Sequence, residues 1–214
     1  MSIGRMGAIM GSSKPDAKMM PIVSKVYCSV SDKVLVVRHR PHVANGGGFV
    51  VADSDQNPLF TVDGCGVIGK KEELIVRDNY GAPLLLIRRK GEVVEVLSMV
   101  RKWKGYTTSF EGSRKLVFTL KEPNSCFLKN TPIKISIESK DYAGDNRRSF
   151  TVAGYFPDRD CSILDPLGIA IAHVEMEMES KEVYNVKIKA GVDQAFVIGV
   201  IAILDYIYDG STRC

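Results

Sequence analysis

At 214 residues, 45% hydrophobic and 25% charged, the chain has ordinary globular composition and enough apolar material for one large domain. A formal net charge of +4 and a pI of about 8.7 are too weakly basic to mark a nucleic-acid or anionic-membrane binder from composition alone. Five widely spaced cysteines with no Cys-x-x-Cys pair exclude that metal or redox motif and favour a reducing compartment.

Residues 1–20, rich in Gly, Ser and Met, read as a disordered lead-in to a single domain over 21–210, with 211–214 as a tail. This lead-in lacks the apolar stretch of a secretory signal, and no Asn-x-Ser/Thr acceptor occurs, so a cytoplasmic, unsecreted protein is expected, with peripheral membrane or nuclear placement as variants. From residue 22 onward, short runs rich in Val, Ile, Leu and Phe alternate with turn residues. They are KVYCSV, KVLVVR, GFVVAD, PLFTVDG, ELIVRD, PLLLIRR, EVVEVLSM, GYTTSF, KLVFTL, IKISIES, RSFTVAGYF, GIAIAHVEMEM and VYNVKIKA. Such spacing predicts about a dozen strands in an antiparallel barrel or sandwich. Segments 49–62 and 74–87 align without gaps, each reading strand, Asp-led turn, Pro-Leu, strand, which predicts paired hairpins of one meander. Later, Glu175, Glu177 and Glu179 share one strand face, and a turn near Ser180 and Lys181 is expected to set them opposite Lys187 and Lys189 in water.

Residues 193–208 predict a helix, with Asp193 as its N-cap. Phe196, Val197, Ile198, Val200, Ile201, Ile203 and Leu204 go right round the helical wheel, so this helix must be enclosed on all sides. AFVIGVIAIL spans only about 15 Å, half a bilayer core, and Asp205 follows it at once. Enclosure by protein is therefore expected, and a closed sheet of about 12 strands is wide enough to hold one helix.

Many antiparallel strands followed by one apolar helix, together with GFVVADSDQNPLFTVDG, DNYGAPLLLIRRK, MVRKWKGYTTSFEG and GVDQAFVIGVIAILDYI, resemble the plant LURP-one-related proteins over about residues 22–208. The basic segment RKGEVVEVLSMVRKWKG is a slightly altered form of the usual one. The resemblance implies a tubby-like closed barrel of about twelve strands threaded by the helix, and links to plant defence and to phospholipid scramblases. It also implies phosphoinositide recognition through basic side chains, without a motif that places those side chains one by one.

The best candidate site is a basic tract. Arg88, Arg89 and Lys90 end one strand, while Arg101, Lys102, Trp103 and Lys104 open another, and a hairpin between them brings both clusters to one barrel end. Lysines around an interfacial Trp suit an acidic lipid headgroup surface, and bases stacked on Trp offer the alternative of a membrane-tethered or nuclear transcription regulator binding nucleic acid. Other motifs read as structure. DSDQN opens like an EF-hand loop but has Pro58 and Gly64 where Gly and Glu are needed, so it is a turn. NGGGF leads into a strand, not a helix, and reads as a loop. RHRPH separates His39 from His42 by Pro41 with no nearby ligand, and DRDCSILD reads as a surface turn without a base for Cys161. No catalytic set, metal or cofactor is expected, and the predicted protein is a non-enzymatic monomer.

Overall fold

The computed structural model describes residues 19–40, 47–64, 72–94, 98–108, 112–123, 131–138, 149–177, 182–209 and 212, with the side chains of 91–100 outside that description. Expectations for residues 1–18, His42, Glu179, the turn at 180–181 and Cys65, Cys126 and Cys214 fall outside the described residues. The strands are β1 (Lys33–His39), β2 (Gly48–Ala52), β3 (Pro58–Asp63), β4 (Glu73–Asp78), β5 (Pro83–Val94) and β6 (Ser98–Thr108), followed by β7 (Arg114–Lys121), β8 (Ile133–Ile137), β9 (Ser149–Tyr155), β10 (Asp160–Leu164), β11 (Ala170–Met176) and β12 (Val183–Ile188). Each pairs antiparallel with its neighbours in sequence, and β1 closes the ring by pairing with both β12 and β2. One helix, α1 (Gln194–Tyr208), follows.

Period-2 alternation sends every second side chain of a strand into the lumen: Ile133, Ile135 and Ile137 of β8 are buried while Lys134 is exposed. α1 fills that lumen. Residues Ala195 through Ile203 have no accessible surface at all, and Phe196 packs its ring on Phe118 and Phe150 with centroids 5.5 and 5.4 Å apart. At roughly 1.5–3 kcal/mol for each large side chain, this enclosure contributes on the order of 10–20 kcal/mol of gross stabilisation. Gly199 lets the helix approach β5, since a Cβ there would stand 2.5 Å from Leu85 Cδ2.

Asp193 caps α1 as expected, its Oδ1 accepting from the Phe196 N–H at 3.2 Å. Its Oδ2 also accepts from the N–H groups of Ile22, Val23 and Ser24 at 2.9, 2.6 and 2.9 Å. One buried carboxylate thus ties the start of the domain to the helix. Order reaches further upstream than the expected boundary, for Met20 donates to the Gly191 carbonyl at 2.8 Å.

The repeated turn recurs a third time. Asp53, Asp78 and Asp165 each accept, through Oδ1, from the N–H groups two and four residues on, at 2.8–2.9 Å. In each turn the fourth residue takes a left-handed conformation, at Gln56, Gly81 and Gly168.

The barrel also corrects several sequence assignments. KVYCSV contains a short 3-10 turn at Lys25–Tyr27 in place of a strand. EVVEVLSM is divided between β5 and β6, whose unusual length absorbs two of the expected short runs. DRDCSILD is largely β10, buried at Cys161 and Ile163. Asn185 lies opposite Glu175 and Lys187 opposite His173, so the Glu175–Lys187 ion pair, at 2.8 Å, is diagonal, and Lys189 pairs with Asp32 at 3.0 Å.

Candidate functional site

The β5–β6 hairpin does bring the two basic clusters together, in direct register: Arg88 faces Lys104, Arg89 faces Trp103 and Lys90 faces Lys102. Alternation then separates them. Trp103 points inward, has no accessible surface, and stacks edge-on against Tyr206 of α1 with centroids 4.8 Å apart. It is a lumen residue and is not available to a headgroup or a base. Arg89 shares its face and is held by acids: Nε and Nη2 donate to Glu122 at 3.0 and 2.7 Å, and Nη1 donates to Glu72 at 2.7 Å. Burial lowers the Arg89 pKa, but Glu122 and Glu72 outweigh it and the guanidinium is held above its ordinary value. Arg88 pairs with Glu73 through Nε at 2.5 Å.

Lys90, Lys102 and Lys104 lie on the outer face, and the barrel adds to that set. Lys102 pairs across to Lys121, while Leu120 pairs with Ile135, which sets Lys134 beside Lys121 on the outer wall. Lys90, Lys102, Lys121 and Lys134 therefore form a row across four consecutive strands. The next row runs Arg88, Lys104, Thr119, Ser136 and Ser149. Together the rows edge a shallow groove of about 330 Å³ bordered by Lys102, Lys104, Thr119, Lys121, Lys134 and Ser136, with Glu138 as the one acid among the described lining residues. Like charges directly opposite in a sheet repel. The hydroxyls of Thr119 and Ser136 add neutral donors to the groove lining. Arg101 is exposed but has the strand parity of Trp103, opposite to that of Lys102 and Lys104.

Sequence reading missed Lys121 and Lys134 because neither lies in a basic run: Lys121 is six residues past Lys115 at the far end of β7, and Lys134 is the single basic residue of β8. The outward parity of KLVFTLK and IKISI was the available signal.

A second polar cluster lies where α1 ends. His39 Nε2 stands 3.0 Å from Asp205 Oδ1, and Asp209, one helical turn on, pairs with Arg159 at 2.5 Å. The carboxylate partners that RHRPH lacked locally thus arrive from the helix. Arg159 is buried, its guanidinium 4.2 Å from the Tyr184 ring centroid and 4.6 Å from that of Phe156. Asp205 Oδ2 accepts from the Thr212 N–H at 3.0 Å. Among the described residues no helix is long and apolar enough to cross a membrane.

A family model described as LURP-one-related matches residues 33–205, which takes in β1 to β12 and most of the helix. Among curated proteins of Arabidopsis thaliana, Protein LURP-one-related 6 is 53% identical across 92% of this chain and 100% of its own length. Protein LURP-one-related 16 is 46% identical across 91% of this chain and 95% of its own, and Protein LURP-one-related 12 is 25% identical across 87% and 83%. No solved structure matches the chain.

Proposed function

The chain belongs to the LURP-one-related family, and on that premise we propose that it is a non-catalytic intracellular adaptor whose outer wall over β5–β8 meets acidic membrane, phosphoinositide-bearing surfaces above all. A place in defence signalling is part of the same proposal, supported by the family resemblance alone. The observation that supports the contact is the row Lys90, Lys102, Lys121 and Lys134, reinforced by Lys104 in the groove below it. Each basic residue near an anionic surface is worth about 1 kcal/mol. The buried position of Trp103 removes the stacking platform that favoured a nucleic-acid partner.

Co-sedimentation of the full chain with phosphatidylcholine vesicles, with and without phosphoinositide, tests the reading beside duplex DNA of matched charge. Binding to the phosphoinositide vesicles alone is expected. Replacing Lys102, Lys121 and Lys134 by Gln removes about 3 kcal/mol and weakens that binding roughly a hundredfold. Equal binding to DNA reduces the effect to unspecific charge, preference for DNA favours a nuclear role, and binding to neither refutes the proposal.

A further inference from the structure

Where the helix ends, three potential ligand atoms from two distant parts of the chain converge: His39 of β1 and Asp205 and Asp209 of α1 offer one donor each, all within 4.8 Å of one another. Asp205 has no accessible surface, and an apolar lumen requires its charge to be compensated. Arg159 pairs with Asp209 beside it, at 2.5 Å.

The His39–Asp205 contact has the length of a hydrogen bond without its direction. Nε2 is buried 3.0 Å from Oδ1, yet the ring nitrogen makes no hydrogen bond. Adjacent ligands at right angles on one ion, with bonds of about 2.1 Å, stand about 3.0 Å apart, so this is the spacing of two donors sharing a cation. A second observation points to the same place. Tyr184 is fully buried with its hydroxyl unpaired, its ring edge-on to His39 at 5.9 Å, and Asp205 is the strongest charge acting on that hydroxyl.

We propose that His39, Asp205 and Asp209 bind one divalent transition-metal ion, with the Tyr184 hydroxyl turned toward it and Arg159 holding the outer oxygen of Asp209. One imidazole with two carboxylates is a borderline set suited to zinc, manganese or ferrous iron, and too small for calcium, which takes six to eight oxygens. Full engagement draws Asp209 inward from the present 4.8 Å spread, to about 4.2 Å for opposite ligands on a six-coordinate ion or about 3.4 Å on tetrahedral zinc. The ion would bridge β1 to the last turn of α1 and fasten the helix in the barrel. This site is independent of the lysine face.

The full chain, stripped with chelator, is titrated calorimetrically with Zn²⁺ and with Mn²⁺, and with Co²⁺ as an absorbing substitute. Saturable binding of one equivalent, a raised Tm and a Co²⁺ ligand-field band are expected. His39→Gln and Asp209→Asn should each weaken binding by more than about tenfold, because loss of outer-shell partners alone costs 10–100-fold. His173→Gln should bind like the wild type. If Asp209→Asn fails to fold, loss of the Co²⁺ band in His39→Gln decides. Absence of saturable binding by the wild type, or a band and affinity that survive His39→Gln, overturns the proposal.

Discussion

Asp193→Asn tests how the start of the domain is locked to the helix. The substitution keeps shape and volume but removes the charge on a fully buried group that accepts four backbone N–H donors, three of them on Oδ2. Hydrogen bonds to a charged group are worth about 1.5–3 kcal/mol each, and three that share one oxygen add less than fully. If the Asn keeps its oxygen toward Phe196, its NH₂ group faces three donors. If it flips, the cap is lost instead. Either way the expected loss is about 3–6 kcal/mol, a large share of a total stability of about 5–15 kcal/mol. With a urea m-value of about 2–3 kcal/mol/M, the unfolding midpoint falls by about 1–3 M. Amide exchange should accelerate first at Ile22, Val23 and Ser24. A variant within about 1 kcal/mol of wild type, with those amides still protected, refutes the account of Asp193 as the tie.

Ile201→Asp replaces a side chain with no accessible surface at the middle of α1 by an unpaired carboxylate. The loss of about 1.5–3 kcal/mol of burial plus a desolvation cost of several more should abolish cooperative folding in circular-dichroism melts. A folded variant that merely loses membrane association would mean that α1 is embedded in lipid and not enclosed by the barrel. Burial raises the Asp63 carboxyl, but hydrogen bonds from Arg40 and Arg77 overcome it and hold the pKa below its ordinary value. The stabilisation is therefore present above about pH 4 and is lost as pH falls through the lower, folded value. The stability gap between wild type and Asp63→Asn, from urea midpoints, should close over that acid range, and a gap independent of pH contradicts the pairing. Burial first, then Asp160, pushes the Cys161 thiol up to about 12. Iodoacetamide at neutral pH should leave Cys161 unmodified in the native protein and react in urea, as followed by peptide mass spectrometry, whereas rapid native labelling would contradict its placement.

Much of the architecture was legible because its determinants are local. A helix apolar on every face, with Asp193 at its start, reports enclosure without any knowledge of what encloses it, and Asp-led turns carry their own hydrogen-bond partners within five residues. The site was less legible because strand parity and register decide it. Arg88 and Arg89 looked like exposed cations while Glu72, Glu73 and Glu122 lay elsewhere in the sequence. Trp103 looked interfacial because its neighbours are lysines, although those neighbours point to the opposite side of the sheet. Lys121 and Lys134 became neighbours of Lys102 only when β6, β7 and β8 were aligned, and His39 met Asp205 only when the barrel closed on the helix.

The direct measurement of the central claim is a residue-level footprint of the membrane contact, by amide NMR shifts or hydrogen exchange with phosphoinositide-containing bicelles. The account predicts perturbation concentrated at Lys102, Lys104, Thr119, Lys121, Lys134 and Ser136, on the wall of β6, β7 and β8. A footprint on the β11–β12–β1 wall, or none at lipid concentrations that saturate binding, contradicts it.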